Sequence, residues 1–243
     1  MILCIDAGNS RIKWRLTKNG ESIAEGGQLT AKILEDEALN LSEIESPSEI
    51  RVANVAGEEV FARLKQQLLS QFSAPIRLAQ ASSTLGELSC GYEDPQSLGV
   101  DRWLAMAAAC HQFSEPLMVV DAGSAITIDI IGPSGQHIGG YITPGLRLMH
   151  DALWKNTSDV RVVGSGLDEL WVPGKNTQQA VNRGCLLAAA STIESLAAQF
   201  PVRIVVTGGD AKILMQAISL SADYQANLVL DGLIMDDVVL KSL

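Results

Sequence analysis

The sequence predicts an α/β protein of two similar domains, and three observations carry that prediction. Residues 3–7, LCIDA, run into Gly8, and residues 118–122, MVVDA, run into Gly123, at an offset of 115. At the same offset Gly20 meets Gly135 and Ile23 meets Ile138, each within a polar turn followed by a returning strand. Both stretches are followed by helical segments, so a strand meander plus helices occurs twice.

In the first copy an apolar strand ends in the turn Asp6-Ala7-Gly8, and a second strand runs from Arg11 to Thr17. Asn19-Gly20 then supplies the residues that a tight hairpin requires, and a third strand returns. A strand at Ile50–Val55, an amphipathic helix at Glu58–Ser70 and an Ala-rich helix from Val100 to His111 complete this half. The second copy turns at Asp121-Ala122-Gly123, continues as a strand from Ala125 to Ile131, turns at Ser134-Gly135 and returns. Helices at Leu146–Trp154 and Thr177–Gln199, a buried strand Arg203–Thr207 and short helices from Asp210 and Asp231 follow. The joint falls at Gln112–Pro116, giving domains of residues 1–114 and 115–243 with a cleft framed by the two Asp-Ala-Gly turns. Residues 31–49 carry charges that suit a solvated helix face or a loop, and they receive no function.

The 243 residues are 47% hydrophobic and 19% charged, enough to bury one or two cores and unlike a disordered or coiled-coil chain. The net charge is -10, and residues 1–115 carry 10 basic and 16 acidic side chains, residues 116–243 only 8 and 12. Neither half has the basic surplus that counterion-driven nucleic-acid binding needs. An anion site on such a chain must be local, built from backbone N–H groups, a few cations or a bound metal. Cys4, Cys90, Cys110 and Cys185 lack metal or redox spacing and read as reduced, mostly buried thiols. The apolar start MILCI meets Asp6 after five residues, and no apolar run approaches the roughly 18 residues that span a bilayer. The expectation is a cytoplasmic protein with no membrane and no nucleic-acid partner.

A strand that ends in Asp, then a small residue and Gly, places a carboxylate at the strand end beside a backbone that another group can approach closely. Asn9 and Ser10 add amide and hydroxyl groups and Lys13 a cation, a set that suits a polyphosphate with hydrated Mg2+. An ordinary hairpin turn has the same spelling. The second turn, through Ser124 and Ala125, repeats the arrangement, and Thr207-Gly208-Gly209-Asp210 follows a buried strand and opens a helix, as a nucleoside loop would. No GxxxxGK[ST], GxSxG or HExxH pattern occurs. Between the repeats, Asp101 and Arg102 open the Ala-rich helix, pairing a candidate general base with a candidate anion clamp, although from spacing alone capping and the helix dipole are the more ordinary reason for an Asp there.

Taken in order, Asp6-Ala7-Gly8-Asn9-Ser10-Arg11-Ile12-Lys13, Gly99-Val100-Asp101-Arg102, Asp121 through Asp129, Gly139 through Gly145 and Thr207 through Asp210 resemble the type III pantothenate kinases over nearly the whole chain. That resemblance implies two duplicated ribonuclease-H-like domains, the actin-like ATPase fold of the acetate kinase, sugar kinase, Hsp70 and actin superfamily. It implies ATP-dependent phosphorylation of pantothenate to 4'-phosphopantothenate, which opens coenzyme A synthesis. By the family pattern Asp6, Ala7, Gly8, Asn9, Ser10, Arg11, Ile12, Lys13 and Ser124 hold ATP with Mg2+. Tyr92, Gly99, Val100, Asp101, Arg102 and Thr177 hold pantothenate, Asp101 takes the proton, and Asp121 binds a monovalent cation, K+ or NH4+. A homodimer is implied, with the pantothenate pocket near its interface. Ser10 and Ser124 stand where the family usually has Thr, keeping the hydroxyl and losing a methyl.

Two other readings share this fold. A non-catalytic transcriptional accessory protein is disfavoured by the intact Asp6, Asp101, Arg102 and Asp121, and a phosphatase by the lack of a basic run.

Overall fold

The computed structural model describes residues 1–41, 44–154 and 172–242, in two compact units. The chain opens with β1 (Ile2–Ala7), β2 (Arg11–Lys18) and β3 (Glu21–Leu29), then a short α1 (Thr30–Leu34). β4 (Glu49–Asn54), α2 (Glu58–Gln71), β5 (Ile76–Ala79) and the small hairpin β6 (Thr84–Leu85) and β7 (Leu88–Ser89) lead to α3 (Val100–Gln112). The second meander is β8 (Leu117–Ala122), β9 (Ala125–Ile131) and β10 (His137–Pro144). It is followed by α4 (Leu146–Trp154), α5 (Thr177–Gln199), β11 (Arg203–Thr207), α6 (Ala211–Ala217) and β12 (Ala222–Tyr224). The chain ends with α7 (Leu228–Leu233) and β13 (Leu240–Ser242).

The first unit, Met1–Gln112 with Asn227–Leu243, holds a six-stranded sheet in the order β13-β5-β4-β1-β2-β3. β1 pairs antiparallel with β2 and parallel with β4, and Leu3, Cys4 and Ile5 in succession have no exposed surface, as a central strand covered on both faces requires. Leu3, Ile5, Ile12, Leu16, Ile50 and Val52 of the sheet pack with Val60, Leu64 and Leu68 of α2. Those three helix positions recur at four-residue spacing, which is why the segment buries one stripe and leaves Glu58 and Glu59 in solvent.

The second unit, Phe113–Ala226, holds a five-stranded sheet in the order β10-β9-β8-β11-β12. Its central β8 pairs antiparallel with β9 and parallel with β11, and β11 pairs parallel with β12. Met118, Val120, Ile128, Ile130 and Val206 meet Ala189, Ala190 and Ile193 of α5 in its core. Within this apolar environment Asp129 accepts a 2.9 Å hydrogen bond at His137 Nε2, and the pair is buried together.

Most strands and helices lie where the apolar pattern puts them; β9, α4, α5 and β11 match the expected spans residue for residue. The expected division at residue 114 differs from the observed units at the C-terminus, because Asn227–Leu243 clusters with the first unit and not the second. β13 adds antiparallel to the edge of β5, and α7 packs on α3. Arg51 fixes this return: its Nη1 donates to the carbonyls of Leu233, Ile234 and Met235 at 3.2, 3.3 and 3.0 Å, capping the end of α7. Arg15 on β2 pairs with Asp231 of the same helix. α7 begins at Leu228 and not at Asp231, and α6 begins one residue after Asp210. The four cysteines are free; Cys4 and Cys185 are buried, and burial pushes the Cys4 thiol up to about 12 and the Cys110 thiol to about 11. Among the described residues no helix is long and apolar enough to cross a membrane.

Candidate active site

In the first unit the β1–β2 connection is closed by a bond from the Gly8 amide to the Arg11 carbonyl at 3.1 Å. Thr30, at the start of α1, holds the turn from outside: its Oγ1 donates to the Gly8 carbonyl at 2.7 Å and its amide to the Ser10 carbonyl at 3.1 Å. Asp6 and Lys13 face each other across the antiparallel pair, which puts opposite charges side by side at the strand end. Asn9 and Arg11 are exposed, Asp6, Gly8, Ser10 and Lys13 half-buried. Ala7 and Ile12 differ: neither residue has exposed surface, backbone included, so both support the turn from within and do not face a ligand. The Ala7 carbonyl accepts from the Val55 amide at 3.0 Å, beside the end of the parallel strand β4.

The loop before α3 is built by local caps. Asp94 Oδ1 accepts from the Gln96 amide at 3.0 Å and Ser97 Oγ donates to the Asp94 carbonyl at 2.7 Å, turning the chain into Leu98 and Gly99. The Gly99 carbonyl accepts from the Trp103 amide at 3.0 Å and so starts the helix. Asp101 Oδ1 accepts from the Arg102 amide at 2.8 Å and lies so close to Gly99 that a Cβ there would stand 2.6 Å from it. The carboxylate is thereby held in the first turn of the helix, where it takes up an amide that has no partner within the helix. Arg102 is 8% exposed, donates from Nη1 to the Tyr92 hydroxyl at 3.0 Å, and stacks over the Tyr92 ring at 5.6 Å. Val100 is buried behind them. Tyr92, Gly99, Asp101 and Arg102 are therefore one group, assembled from the loop before α3 and the first turn of that helix.

In the second unit three segments converge on the turn after β8. The Gly123 amide donates to the Ala125 carbonyl at 3.0 Å, the Gly145 amide to the Ser124 carbonyl at 3.1 Å, and the Asp210 amide to the Ala122 carbonyl at 2.9 Å. Gly208, at φ +98°, lies directly on this turn: a Cβ there would sit 2.6 Å from the Ala122 carbonyl carbon and inside contact with Asp121 Oδ1. Likewise a Cβ on Gly145 would sit 2.8 Å from the Ser124 carbonyl carbon. The Asp121 carboxylate thus lies against the backbone of Gly208, and its Oδ1 is 3.4 Å from where a Cβ on Gly123 would stand. That is a hard-oxygen setting that suits a small cation.

Burial raises the pKa of Asp210, and the charges of His150 and Arg147 oppose the rise; burial lowers that of His150. His150 and Arg147 on α4 thus face the Thr207–Asp210 loop electrostatically, a relation the sequence reading did not weigh, although Gly145 one turn earlier marks where α4 docks. Thr30 was also missed; its signal is a Ser/Thr immediately after a strand. Thr177 opens α5 behind the N-cap Asn176, whose side chain accepts from the Gln179 amide at 2.9 Å, and it is exposed.

Gly208→Ala tests this convergence. The strained backbone and the forced contact lower stability by about 2 to 3 kcal/mol, read as a lower urea midpoint at unchanged m. A wild-type midpoint contradicts the described packing.

The sequence profile of the type III pantothenate kinases matches residues 2–199. A type III pantothenate kinase of Teredinibacter turnerae is 37% identical over 252 residues, covering 99% of this chain and all of its own length. A solved structure from Campylobacter jejuni, assigned to the Baf family of transcriptional activators, is 26% identical with a TM-score of 0.61 and covers 95% of this chain and 94% of its own. One from Sinorhizobium meliloti, assigned as a 2-dehydro-3-deoxygalactonokinase, is 13% identical with a TM-score of 0.55, covering 96% and 97%, a likeness of fold alone. The architecture is the α/β fold related to the acetate kinase, sugar kinase, Hsp70 and actin superfamily. Matched along most of its length by the profile and from end to end by a relative, the chain belongs to the type III pantothenate kinase family.

Proposed function

We propose that the chain transfers the γ-phosphoryl group of ATP to the primary hydroxyl of pantothenate, forming 4'-phosphopantothenate at the start of coenzyme A synthesis. The observation that carries this is full-length membership of the family together with an intact Asp101, Arg102 and Tyr92 group.

In this reading the pantothenate hydroxyl oxygen bonds to the γ-phosphorus as the bond to the bridging oxygen breaks, and ADP leaves. The hydroxyl proton passes to the Asp101 carboxylate, which the Arg102 amide already holds in place. Arg102, oriented by Tyr92, neutralises the pantothenate carboxylate, with the Gly99–Val100 backbone and Thr177 as further contacts. The Asp6–Lys13 turn, through the partly exposed Asp6, Gly8, Ser10 and Lys13 and the exposed Asn9 and Arg11, binds ATP together with Ser124 of the second turn, while the fully buried Ala7 and Ile12 support the first turn from within. Phosphoryl transfer is mainly positioning and charge stabilisation, so a held carboxylate and rigid turns are what the protein has to supply. Mg2+ bound with ATP offsets phosphate charge on a chain of net charge -10. Asp121, whose Oδ1 lies against the Gly208 backbone at the end of β8, is the ligand we assign to a monovalent cation, K+ or NH4+, which would add positive charge near the phosphates.

The finer fold reading is a duplication of ribonuclease-H-like domains. It is supported by the common strand order, β3-β2-β1-β4-β5 and β10-β9-β8-β11-β12, and by β1 and β8 lying 115 residues apart. A homodimer is supported by exposed Tyr141 and Ile142 on the edge strand β10 and exposed Leu148 and Leu153 on the neighbouring α4.

Asp101→Asn is expected to lower kcat by about 100-fold or more with ATP affinity retained, measured as phosphopantothenate formed and by nucleotide titration. Near-wild-type turnover would remove Asp101 as the base. Ile142→Asp is expected to shift the sedimentation coefficient from dimer to monomer. A dimer that persists moves the interface elsewhere.

A further inference from the structure

Helix α7 meets α3 backbone to backbone. A Cβ on the buried Gly232 would lie 2.7 Å from the Leu104 carbonyl carbon and 2.9 Å from the Leu104 Cα, with the Leu104 oxygen closer still. Ordinary carbon contacts are about 3.5 to 4.0 Å, so any side chain at this position would push the helices apart by about 1 Å. Leu104 stands one turn beyond Asp101 on the same helix. α3 is buried along nearly its whole length from Val100 to Ala109, and a helix of 13 residues moves as a rigid piece, so a shift at Leu104 is carried to Asp101 and Arg102.

α7 itself has little freedom. Arg51, 8% exposed on central strand β4, donates from one nitrogen to the last three carbonyls of the helix turn, at Leu233, Ile234 and Met235, while its Nε meets Glu49 at 3.0 Å. Arg15 on β2 holds Asp231 from the other side. The sheet therefore fixes α7, and α7 fixes α3. The segment lies beyond residues 2–199, the part matched by the family profile.

We infer that the C-terminal helix α7 is a positioning element for the reaction, in which Gly232 sets the seat of α3 and hence the placement of Asp101 and Arg102 against pantothenate. Gly232 acts through α3 and touches no substrate. The inference rests on the reading of Asp101 and Arg102 as the groups that meet pantothenate. A displacement of about 1 Å far from the chemistry is enough to cost about 10- to 100-fold in rate.

The test is steady-state kinetics of full-length Gly232→Ala, with folding checked by circular dichroism at a temperature well below its unfolding midpoint. The expected result is a kcat lower by about 10-fold or more and a pantothenate KM raised about 3-fold or more, with the ATP KM unchanged. A merely destabilised protein would lose active fraction and move neither KM. Where Gly232→Ala does not fold, Arg51→Lys, which keeps the charge and loses the planar fork, is read in the same way, with smaller changes of the same sign. Wild-type pantothenate kinetics in a folded variant, or a loss of rate with both KM values unchanged, overturns the inference. Asp101→Asn measured alongside separates the two claims. If it is inactive while Gly232→Ala behaves as wild type, only the positioning role falls. If it is active, the base assignment falls, and a raised pantothenate KM in Gly232→Ala still reports the displacement of Arg102.

Discussion

The carbonyl groups of Ala122 and Ser124 lie against the backbone of Gly208 and Gly145 with no room for a Cβ, and this direct approach governs what the second sheet can present. It draws the β8–β9 turn, the start of α4 and the β11–α6 loop to one place, and three backbone bonds of 2.9 to 3.1 Å hold them there. A turn so fixed holds its backbone and the Asp121 carboxylate in one arrangement. Because the chain carries net charge -10, long-range attraction cannot substitute for this local order.

The first unit meets the same requirement by other means. Its strand-end turn is tied by Thr30, and its carboxylate, Asp101, is held by the amide of the next residue at a helix start. Tyr92 meets Arg102 by a hydrogen bond and by its ring face, so the buried guanidinium is held in one orientation. Behind them, the tail returns to the sheet of this unit and braces α3.

Much of this could be read from residue order. The strands β1, β8 and β11 are apolar runs that end in Asp or Thr-Gly turns, and α2 and α5 have lengths that no strand would share, so their signals are local. β5, β12 and β13 span four, three and three residues, too few for any period to show, and they exist because a neighbouring strand offers an open edge. The return of residues 227–243 depends on Arg51 finding carbonyls more than 180 residues away, which nothing near Arg51 announces. Among the candidate residues, the Asp-Ala-Gly turn of each unit and the Asp101-Arg102 pair of the first were legible because strand ends and helix starts have sequence signatures. The Tyr92–Arg102 stack and the approach of His150 to Asp210 were not, since each joins segments whose proximity is created by folding.

In the proposed reaction the acceptor of the phosphoryl group is pantothenate and not water. The most direct measurement is ADP release by the purified chain with Mg2+-ATP, followed with and without pantothenate. The expected result is release that depends on pantothenate and matches the phosphopantothenate formed. Release of equal rate without pantothenate, or none in its presence, would contradict it.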